Sequence, residues 1–454
     1  MEADEKAASA WWKVLAAGLA GAFLAGLGAL LFAIMDRVSA GLIPGLWASA
    51  PWAVFIIMPL GLGVILWLRD RVFPWTDGTG IPQTIAALQA GPGELRDRLL
   101  SLRVAAGKAV LTSLGLLSML SIGREGPSVQ LGACFMQWAG RLVAFPRGIA
   151  ERGLIMAGGA AGISAAFNAP IAGMVFAFEE IGRRFDKGNL GTILRTVVVA
   201  CAVCAVTLGN SFFYGRVDYG RAVPLEFSAP GPWLAVVMIG LCGGVLGGLF
   251  AKAMLSLSPV VRKAIRRQPW VVALAVGLAC GAVAVWSDGA SLGTGRDQAR
   301  ALILHGSPDD LSLLPEADRE ALMRTFESIT PWYALQRATA TFLVLRTGIP
   351  GGLFDPSFSI GAGLGHLTAP LLAATGAPLQ AVILLFIVAY FAGVVQSPMT
   401  SVVILVEMTG AVAFTLPLLA AALIAYEVSR RIVPVSLYEA MAQGFLRAPP
   451  RELA

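Results

Sequence analysis

Long apolar runs recur along the whole of this chain. Several approach the 20 or so residues that an α-helix needs to cross a bilayer, and others are shorter. They lack the period-two alternation of a membrane β-strand, and open sheets are excluded from lipid, so an all-α polytopic membrane protein is predicted. The first run has no small-residue cleavage site after it and is predicted to be a membrane helix, not a signal peptide. The runs are residues 14–35, 52–68, 196–208, 233–254, 270–286, 379–395 and 411–425.

The composition agrees with this fold class. Of the 454 residues, 57% are hydrophobic and only 14% are charged, whereas a soluble domain carries about 25% charged residues. The net charge is +6, and the basic residues cluster between the apolar runs. The positive-inside rule accounts for these clusters, so nucleic-acid binding is not expected.

The sequence carries no motif of enzymatic chemistry. It contains no Walker A loop, HExxH pair or GxSxG turn, so neither ATP-driven pumping nor intramembrane hydrolysis is predicted. His305 and His366, the two histidines, lie too far apart in sequence for a convincing metal site. Cys201 and Cys204 have redox spacing, but the apolar run around them favours small core residues. We expect no metal, no cofactor and no enzyme activity.

Glycine and proline interrupt the apolar sequence beside polar residues at five places. The chain has 52 glycines, and close helix packing alone is the alternative explanation for any single cluster. A glycine beside a proline and a polar residue predicts instead a helix that is broken inside the bilayer. Broken helices of this kind mark the binding sites of secondary transporters. The five places are residues 78–82, 123–127, 168–170, 352–356 and 396–398.

The interruption Gly123-Arg124-Glu125-Gly126-Pro127 is the most informative. Ionisable side chains are costly at membrane depth unless they have a partner or a function. Gly126 lets the backbone turn and Pro127 suits the first helical position, so a helix is predicted to start here. Its unpaired N–H groups and positive dipole end would form an anion site, with Glu125 as an anion tethered beside it. The alternative is a fixed Arg124–Glu125 ion pair.

The interruptions also repeat along the chain. Pro170 precedes Glu179 by nine residues, and Pro398 precedes Glu407 by nine, at an offset of 228. A second set of matches has an offset of 229. Two structural halves are therefore predicted, about residues 11–208 and 233–430, as in transporters with internal repeats. The second set pairs Gly123, Pro127, Ser128, Gly132 and Ala133 with Gly352, Pro356, Ser357, Gly361 and Ala362.

Five motifs, taken in order, resemble those of the CLC family of chloride channels and proton-coupled anion exchangers. The resemblance implies one transmembrane domain, residues 1–440, built as an inverted repeat of about 18 full and partial helices, with a short tail at 441–454. It also implies a homodimer in the lipid bilayer and a multi-pass protein of the bacterial inner membrane. Many larger members carry a cytoplasmic nucleotide-binding module, which is not expected here because the sequence stops sixteen residues after Tyr438. The motifs are Gly78-Thr79-Gly80-Ile81-Pro82, Gly123-Arg124-Glu125-Gly126-Pro127, Ala165-Ala166-Phe167-Asn168-Ala169-Pro170, Gly352-Leu353-Phe354-Asp355-Pro356 and Ser436-Leu437-Tyr438.

The resemblance assigns roles to individual residues. Glu125 resembles the gating glutamate, whose carboxylate occupies the anion position when deprotonated and swings away when protonated. Thr79 resembles the inner serine, whose hydroxyl donates to the central anion. The backbone N–H groups of Leu353 and Phe354 would bind the same ion, and the phenol of Tyr438 would close the inner path. For Tyr438 the alternative is an interfacial belt residue.

Glu180 distinguishes an exchanger from a channel. It is the second glutamate of a pair that ends an apolar segment, and Arg183 and Arg184 follow. One interpretation is a helix-end charge cluster facing the cytoplasm. The resemblance implies instead the internal proton relay of the exchangers, which the channels usually lack. The sequence therefore predicts exchange of chloride for protons, and the alternative is a passive voltage- or pH-gated chloride channel of the same fold.

Two residues depart from the family's usual pattern. Thr79 stands where serine is usual for chloride, but it keeps the hydroxyl donor. A fluoride/proton antiporter is a further alternative, against which Thr79 and Tyr438 argue. Asp355 puts a carboxylate beside the proposed anion ligands, where it must point away, pair with a base such as Arg346, or be protonated, because otherwise it repels the substrate.

Overall fold

The computed structural model describes residues 2–143, 149–183, 187–209, 213–215, 228–256, 264–305 and 314–447. Within these ranges the chain is helical, and the one β-bridge pairs Gly123 with Gly352. We number nineteen helices. They are α1 (Glu2–Ser49), α2 (Val54–Arg71), α3 (Ile81–Ala90), α4 (Glu94–Leu99), α5 (Leu102–Leu117), α6 (Glu125–Leu142), α7 (Ile149–Phe167), α8 (Pro170–Phe176), α9 (Lys187–Leu208), α10 (Pro230–Leu255), α11 (Pro269–Trp286), α12 (Arg296–His305), α13 (Glu316–Glu327), α14 (Tyr333–Leu345), α15 (Phe354–Leu372), α16 (Leu379–Val395), α17 (Pro398–Thr409), α18 (Thr415–Ile432) and α19 (Leu437–Arg447).

Seven helical segments of the described residues are long and apolar enough to cross a membrane, so the chain is a multi-pass integral membrane protein. Six of them overlap a predicted apolar run. The remaining predicted run forms α16, which has 17 residues and is buried from residue 380 to residue 395. Its high hydropathy therefore reflects the protein interior. The prediction missed the segment Glu94–Leu117, because charged residues at its start and Lys108 interrupt its apolar stretch.

The loop before α6 in the first half contacts the loop before α15 in the second half. The backbone N–H of Gly123 donates to the Gly352 carbonyl at 2.8 Å, and the N–H of Gly352 donates to the Gly123 carbonyl at 2.5 Å. The bridge is antiparallel. Equivalent positions of the two repeats therefore pair with each other in opposite directions, as an inverted repeat requires. The assignment of residues 11–208 and 233–430 to the halves stays a prediction.

A second contact between the halves has the same reciprocal form. The carboxylate of Glu179, in the π-helical turn that follows α8, accepts from the backbone N–H groups of Met399 and Thr400 at the start of α17. The carboxylate of Glu407, near the end of α17, accepts from the N–H groups of Ile171 and Ala172 at the start of α8, at 3.1 and 2.7 Å. Each carboxylate satisfies N–H groups that a helix start leaves unpaired. The two short helices are thus locked antiparallel.

Close backbone packing fixes the helices that follow the central bridge. A Cβ atom added to Gly132 on α6 would collide with the Gly158 carbonyl on α7. In the second half, a Cβ atom on Gly361 of α15 would lie 2.6 Å from the Cα atom of Ile387 on α16. Small residues allow this approach in both halves. Helix α6 is therefore closely packed against α7, and α15 against α16, and these contacts hold the starts of α6 and α15 in place.

Candidate functional site

Two helix N-termini converge at the Gly123–Gly352 bridge. Helix α6 begins at Glu125 and α15 begins at Phe354, each two residues after a bridged glycine. Helix α6 starts two residues earlier than predicted, so that Pro127 is its third residue rather than its first. In neither helix does a side chain of the cap residue bond the first turn. The N–H groups and positive dipole ends of both helices are therefore available to an anion.

The Glu125 side chain lies between the two bridged loops. A Cβ atom at Gly123 or at Gly352 would collide with its carboxylate, so glycine is required at both positions. Glu125 is fully buried, and none of the described residues donates a hydrogen bond to its two oxygens. Arg124 turns elsewhere, since its Nη2 donates to the Ala166 carbonyl at 3.1 Å. The fixed Arg124–Glu125 ion pair, the alternative interpretation, is thus wrong for this structure.

Thr79 reaches the same place from the loop before α3. A Cβ atom on Gly80 would lie 2.5 Å from the carbonyl oxygen of Gly126, so this loop touches the first turn of α6. The Thr79 side chain is 4% exposed, and within the part of the chain that the structure describes its hydroxyl has no hydrogen-bond partner. The buried ammonium of Lys108 holds the loop by donating to the Gly78 carbonyl at 2.6 Å. A buried hydroxyl with no partner is unfavourable, which an anion in front of it would correct.

Tyr438 lies against the start of α15. Its ring is 6.3 Å from that of Phe354, and the side chain is fully buried, which excludes a lipid-interface belt position. The phenol oxygen has no hydrogen-bond partner among the residues described by the structure. It lies within electrostatic range of both Glu125 and Glu180. Leu353 and Phe354 are buried as well. These two residues and Tyr438 lie together at the start of α15, whereas Thr79 lies beside the first turn of α6.

Glu180 is a buried carboxyl group in the turn after α8. It is 2% exposed, and the Ser397 hydroxyl donates a hydrogen bond to its Oε2. Arg183 contacts Glu180 Oε1 at 3.7 Å and Glu439 at 3.5 Å. Gln89 donates to Glu439 at 3.0 Å. A helix-end cluster of solvated charges does not describe this arrangement, because Glu180 is inside the protein.

Asp355 does not have the basic partner that one of the predicted outcomes gave it. Nη1 of Arg346 donates instead to the carbonyls of Ala253 and Met254 at 2.8 and 3.0 Å. The Asp355 side chain is fully buried. Among the described residues, none donates a hydrogen bond to its carboxyl oxygens. The two other outcomes, a carboxyl group that points away from the anion ligands or one that is protonated, stay predictions.

Sequence reasoning missed four polar residues of the site. Lys108 is signalled by its position as a lone charge in an apolar segment, and Arg183 by its place three residues after Glu180. Glu439 directly follows Tyr438. Ser397 lies in a predicted helix break, but no pattern indicates that its hydroxyl crosses to the other half.

The chain is thus a multi-pass membrane protein in which inverted halves present paired helix N-termini, two buried hydroxyl groups and buried carboxyl groups to one central region. It belongs to the family of voltage-gated chloride channels, whose model matches residues 61–430. The resemblance predicted from the motifs is confirmed.

Individual relatives extend this result. The chain is 27% identical to the H+/Cl− exchange transporter ClcA of Cronobacter sakazakii, over 89% of this chain and 84% of that one. It is 32% identical to a chloride/fluoride channel protein of Pseudomonas syringae pv. tomato, over 64% of this chain and 59% of that one. Its fold is similar to that of a slow cyanobacterial Cl−/H+ antiporter, with a TM-score of 0.75, 23% identity, and coverage of 96% of this chain and 98% of that one.

Proposed function

We propose that this protein exchanges chloride for protons across the membrane, as a homodimer in which each subunit has its own pathway. One observation carries the proposal: the chain buries two carboxyl groups, that of Glu125 at the start of α6 and that of Glu180, which accepts a hydrogen bond from the Ser397 hydroxyl. A passive channel needs only the first of them. The H+/Cl− exchange named for the Cronobacter sakazakii relative supports the same activity.

The anion steps belong to the paired helix N-termini. A deprotonated Glu125 places its carboxylate at the N–H groups that would otherwise bind chloride, because both anions are stabilised by the same dipoles. Protonation removes the charge of Glu125, and chloride replaces it. The hydroxyl groups of Thr79 and Tyr438 and the backbone N–H groups of Leu353 and Phe354 then donate to the ion.

The proton steps begin at Glu180. The Ser397 hydroxyl orients its carboxyl group, and Arg183 and Glu439 border it on the more exposed side. A proton taken up by Glu180 crosses to Glu125 through water. Because Glu125 gives up the anion position only when it is protonated, each transfer of a proton is tied to the movement of chloride in the opposite direction.

Flux measurements in proteoliposomes test the exchange. An outward chloride gradient is applied to vesicles of the purified protein, and chloride and pH are recorded together. Wild type should drive protons uphill, and Glu180→Gln should carry chloride with no proton movement. Glu94→Gln, at an exposed residue paired with Arg98, is the matched control and should behave as wild type.

Two results would contradict the proposal. Chloride movement without uphill protons in wild type would identify a passive channel. Unchanged proton flux in Glu180→Gln would remove Glu180 from the proton path. The same vesicles, loaded with fluoride in place of chloride, separate the two anions: we expect chloride to be carried faster.

A further inference from the structure

A surface cavity of about 690 Å³ lies between the start of α5 and residues 72–80, the loop that follows α2. Pro74 and Trp75 line it from the loop, and Arg98 and Arg103 line it from α4 and α5. Arg103 also binds the loop directly, since its Nε and Nη2 donate to the Val72 carbonyl at 2.9 and 2.7 Å. The volume of this α2–α5 cavity lies within the range of small-molecule sites, about 300–1,000 Å³.

The α2–α5 cavity lies where two membrane-crossing segments end. The segment Pro51–Arg71 ends directly before the loop, and the segment Glu94–Leu117 begins at the helix that carries Arg98. Arginine and tryptophan at the ends of apolar spans lie at the level of the phospholipid headgroups. Helices α2 and α5 pack against each other and expose large apolar side chains to lipid, namely Ile56, Leu60, Val64 and Trp67 on α2 and Leu102, Val110 and Leu117 on α5.

The charges around the cavity leave one arginine without a counter-charge. The carboxylate of Glu94 forms an ion pair with Arg98, and that of Asp97 forms one with Arg141. The side-chain hydrogen bonds of Arg103 go to a backbone carbonyl, and among the described residues no carboxylate forms an ion pair with it. Arg103 is exposed. Its guanidinium group therefore suits a phosphate, to which arginine donates paired hydrogen bonds.

Trp75 has a backbone conformation that bulky residues seldom adopt. Its φ angle is +71°, in the left-handed region that favours glycine. Conformations of this kind persist where the surrounding structure requires them, and ligand clamps are one such place. The indole is only partly buried, and the guanidinium carbon of Arg98 lies 5.7 Å from the ring centre. The loop thus presents an aromatic side chain beside the arginines of the cavity.

The loop that lines the cavity also carries Thr79. Helix α5 holds this loop at two places. Arg103 binds the carbonyl of Val72 at the start of the loop, and Lys108, further along α5, binds that of Gly78. A ligand that contacts both α5 and the loop therefore acts on the segment that positions the Thr79 hydroxyl.

We propose that the α2–α5 cavity binds the headgroup of an anionic phospholipid, with its phosphate at Arg103 and its acyl chains along the exposed side chains of α2 and α5. The ammonium group of a zwitterionic headgroup would find both carboxylates of the cavity already paired. The bound lipid bridges α5 and the loop, and so fixes Thr79. Lipid binding is independent of the proposed exchange, whereas its effect on chloride rests on the role proposed there for Thr79.

Native mass spectrometry of the delipidated full-length protein measures this binding. We expect the tightest site of wild type to bind phosphatidylglycerol about tenfold more tightly than phosphatidylethanolamine, and Arg103→Gln to lose this preference. Arg98→Gln, which leaves Glu94 unpaired in the cavity, should also lose it and gives a second reading if Arg103→Gln does not fold. Arg319→Gln, at an exposed arginine of α13, is the matched control and should bind as wild type. Glycerol phosphate, which has no acyl chains, should not displace the lipid.

Calorimetry of chloride binding measures the effect on Thr79. Phosphatidylglycerol should lower the dissociation constant of wild type for chloride at least threefold, because a loop that is already fixed loses less entropy when the anion binds. The lipid should leave the dissociation constant of Arg103→Gln unchanged.

Several results would overturn the proposal. Equal binding of the two lipids by wild type, or a preference that survives both cavity substitutions, would exclude the site. A loss of preference in Arg319→Gln would show that any surface arginine has the same effect. Displacement by glycerol phosphate would identify a soluble ligand instead of a lipid. Lipid binding with no change in chloride affinity would exclude the effect on Thr79. None of these readings requires transport, so a failure of the proposed exchange would be recorded separately in the flux measurements.

Discussion

The hydroxyl of Ser397 donates a hydrogen bond to the carboxylate of Glu180 across 217 positions of sequence. Ser397 is the N-cap residue of α17, a position where serine ordinarily binds the first N–H groups of its own helix. Here Glu179 binds those N–H groups instead. Glu179 therefore caps α17, and Glu180 accepts a hydrogen bond from the Ser397 hydroxyl, which is not used in the cap.

Ser397→Ala should weaken proton transport more than chloride transport. A hydrogen bond donated to a carboxylate stabilises its ionised form by about 1.5–3 kcal/mol. Its loss makes Glu180 hold its proton more tightly and should slow proton release toward Glu125 about tenfold. The ratio of protons to chloride in proteoliposomes measures the effect. Ser401→Ala is the control, since its hydroxyl binds only the Ser397 carbonyl within the same helix. Equal ratios in the two variants would show that the Ser397–Glu180 bond has no part in proton transport.

Thr79→Val should weaken chloride binding with little change in shape. Valine keeps the β-branched form and removes the hydroxyl, for which the described residues provide no hydrogen-bond partner. We expect the dissociation constant, measured by calorimetry, to rise about tenfold, because a hydrogen bond to an ion contributes about 1.5–3 kcal/mol. Thr79→Ser keeps the donor and should bind chloride within about threefold of wild type. Unaltered binding in Thr79→Val would exclude the hydroxyl as an anion ligand.

Glu407→Gln should destabilise the fold without touching the transport site. The amide loses the charge that interacts with the α8 dipole and one of two acceptor oxygens for Ile171 and Ala172. Loss of a helix cap costs about 0.5–2 kcal/mol. Thermal unfolding in detergent should show a lower midpoint, whereas Glu427→Gln on α18 should not. A midpoint equal to that of wild type would contradict a stabilising role for the Glu407 cap on α8.

Gly162→Ala should be strongly destabilising. The added methyl group would collide with the Ser128 backbone carbonyl, one turn into α6, and backbone atoms cannot rotate away. Overpacking of this kind costs about 1–3 kcal/mol. Gly41→Ala on α1 has no atom within 4 Å of the new methyl group and should be neutral or stabilising. Folded yield and unfolding midpoint, compared between the two variants, decide the question.

Much of the architecture could be predicted from the spacing of a few residues. Pro170 with Glu179 and Pro398 with Glu407 indicate a repeat, because duplicated helices keep their lengths and breaks. The spacing cannot show the relative direction of the copies. That the two glutamates cap each other's helices is evident only when α8 and α17 are placed side by side.

The polar contacts of the site were less predictable. Pairing with a base such as Arg346 was one of three outcomes predicted for Asp355, but Arg346 donates to backbone carbonyls 92 and 93 positions away, at Met254 and Ala253. Long side chains reach partners that three-dimensional packing selects, and sequence proximity does not decide between them. Lys108 is the same case, since its charge is signalled in the sequence and its acceptor, the Gly78 carbonyl, is not.

The reciprocal caps of Glu179 and Glu407 also bear on how such a chain arises. Each of these two glutamates caps the short helix of the other half. Two identical chains make reciprocal contacts of this kind across a two-fold axis. In a dimer of half-length chains, a single glutamate would form both caps. After gene duplication and fusion, the single chain would keep both helix caps without having to evolve a new contact. After fusion, the position that follows each capping glutamate could differ between the two halves. In the first half it is Glu180, which accepts a hydrogen bond from Ser397, and in the second half, 228 residues further on, it is Met408.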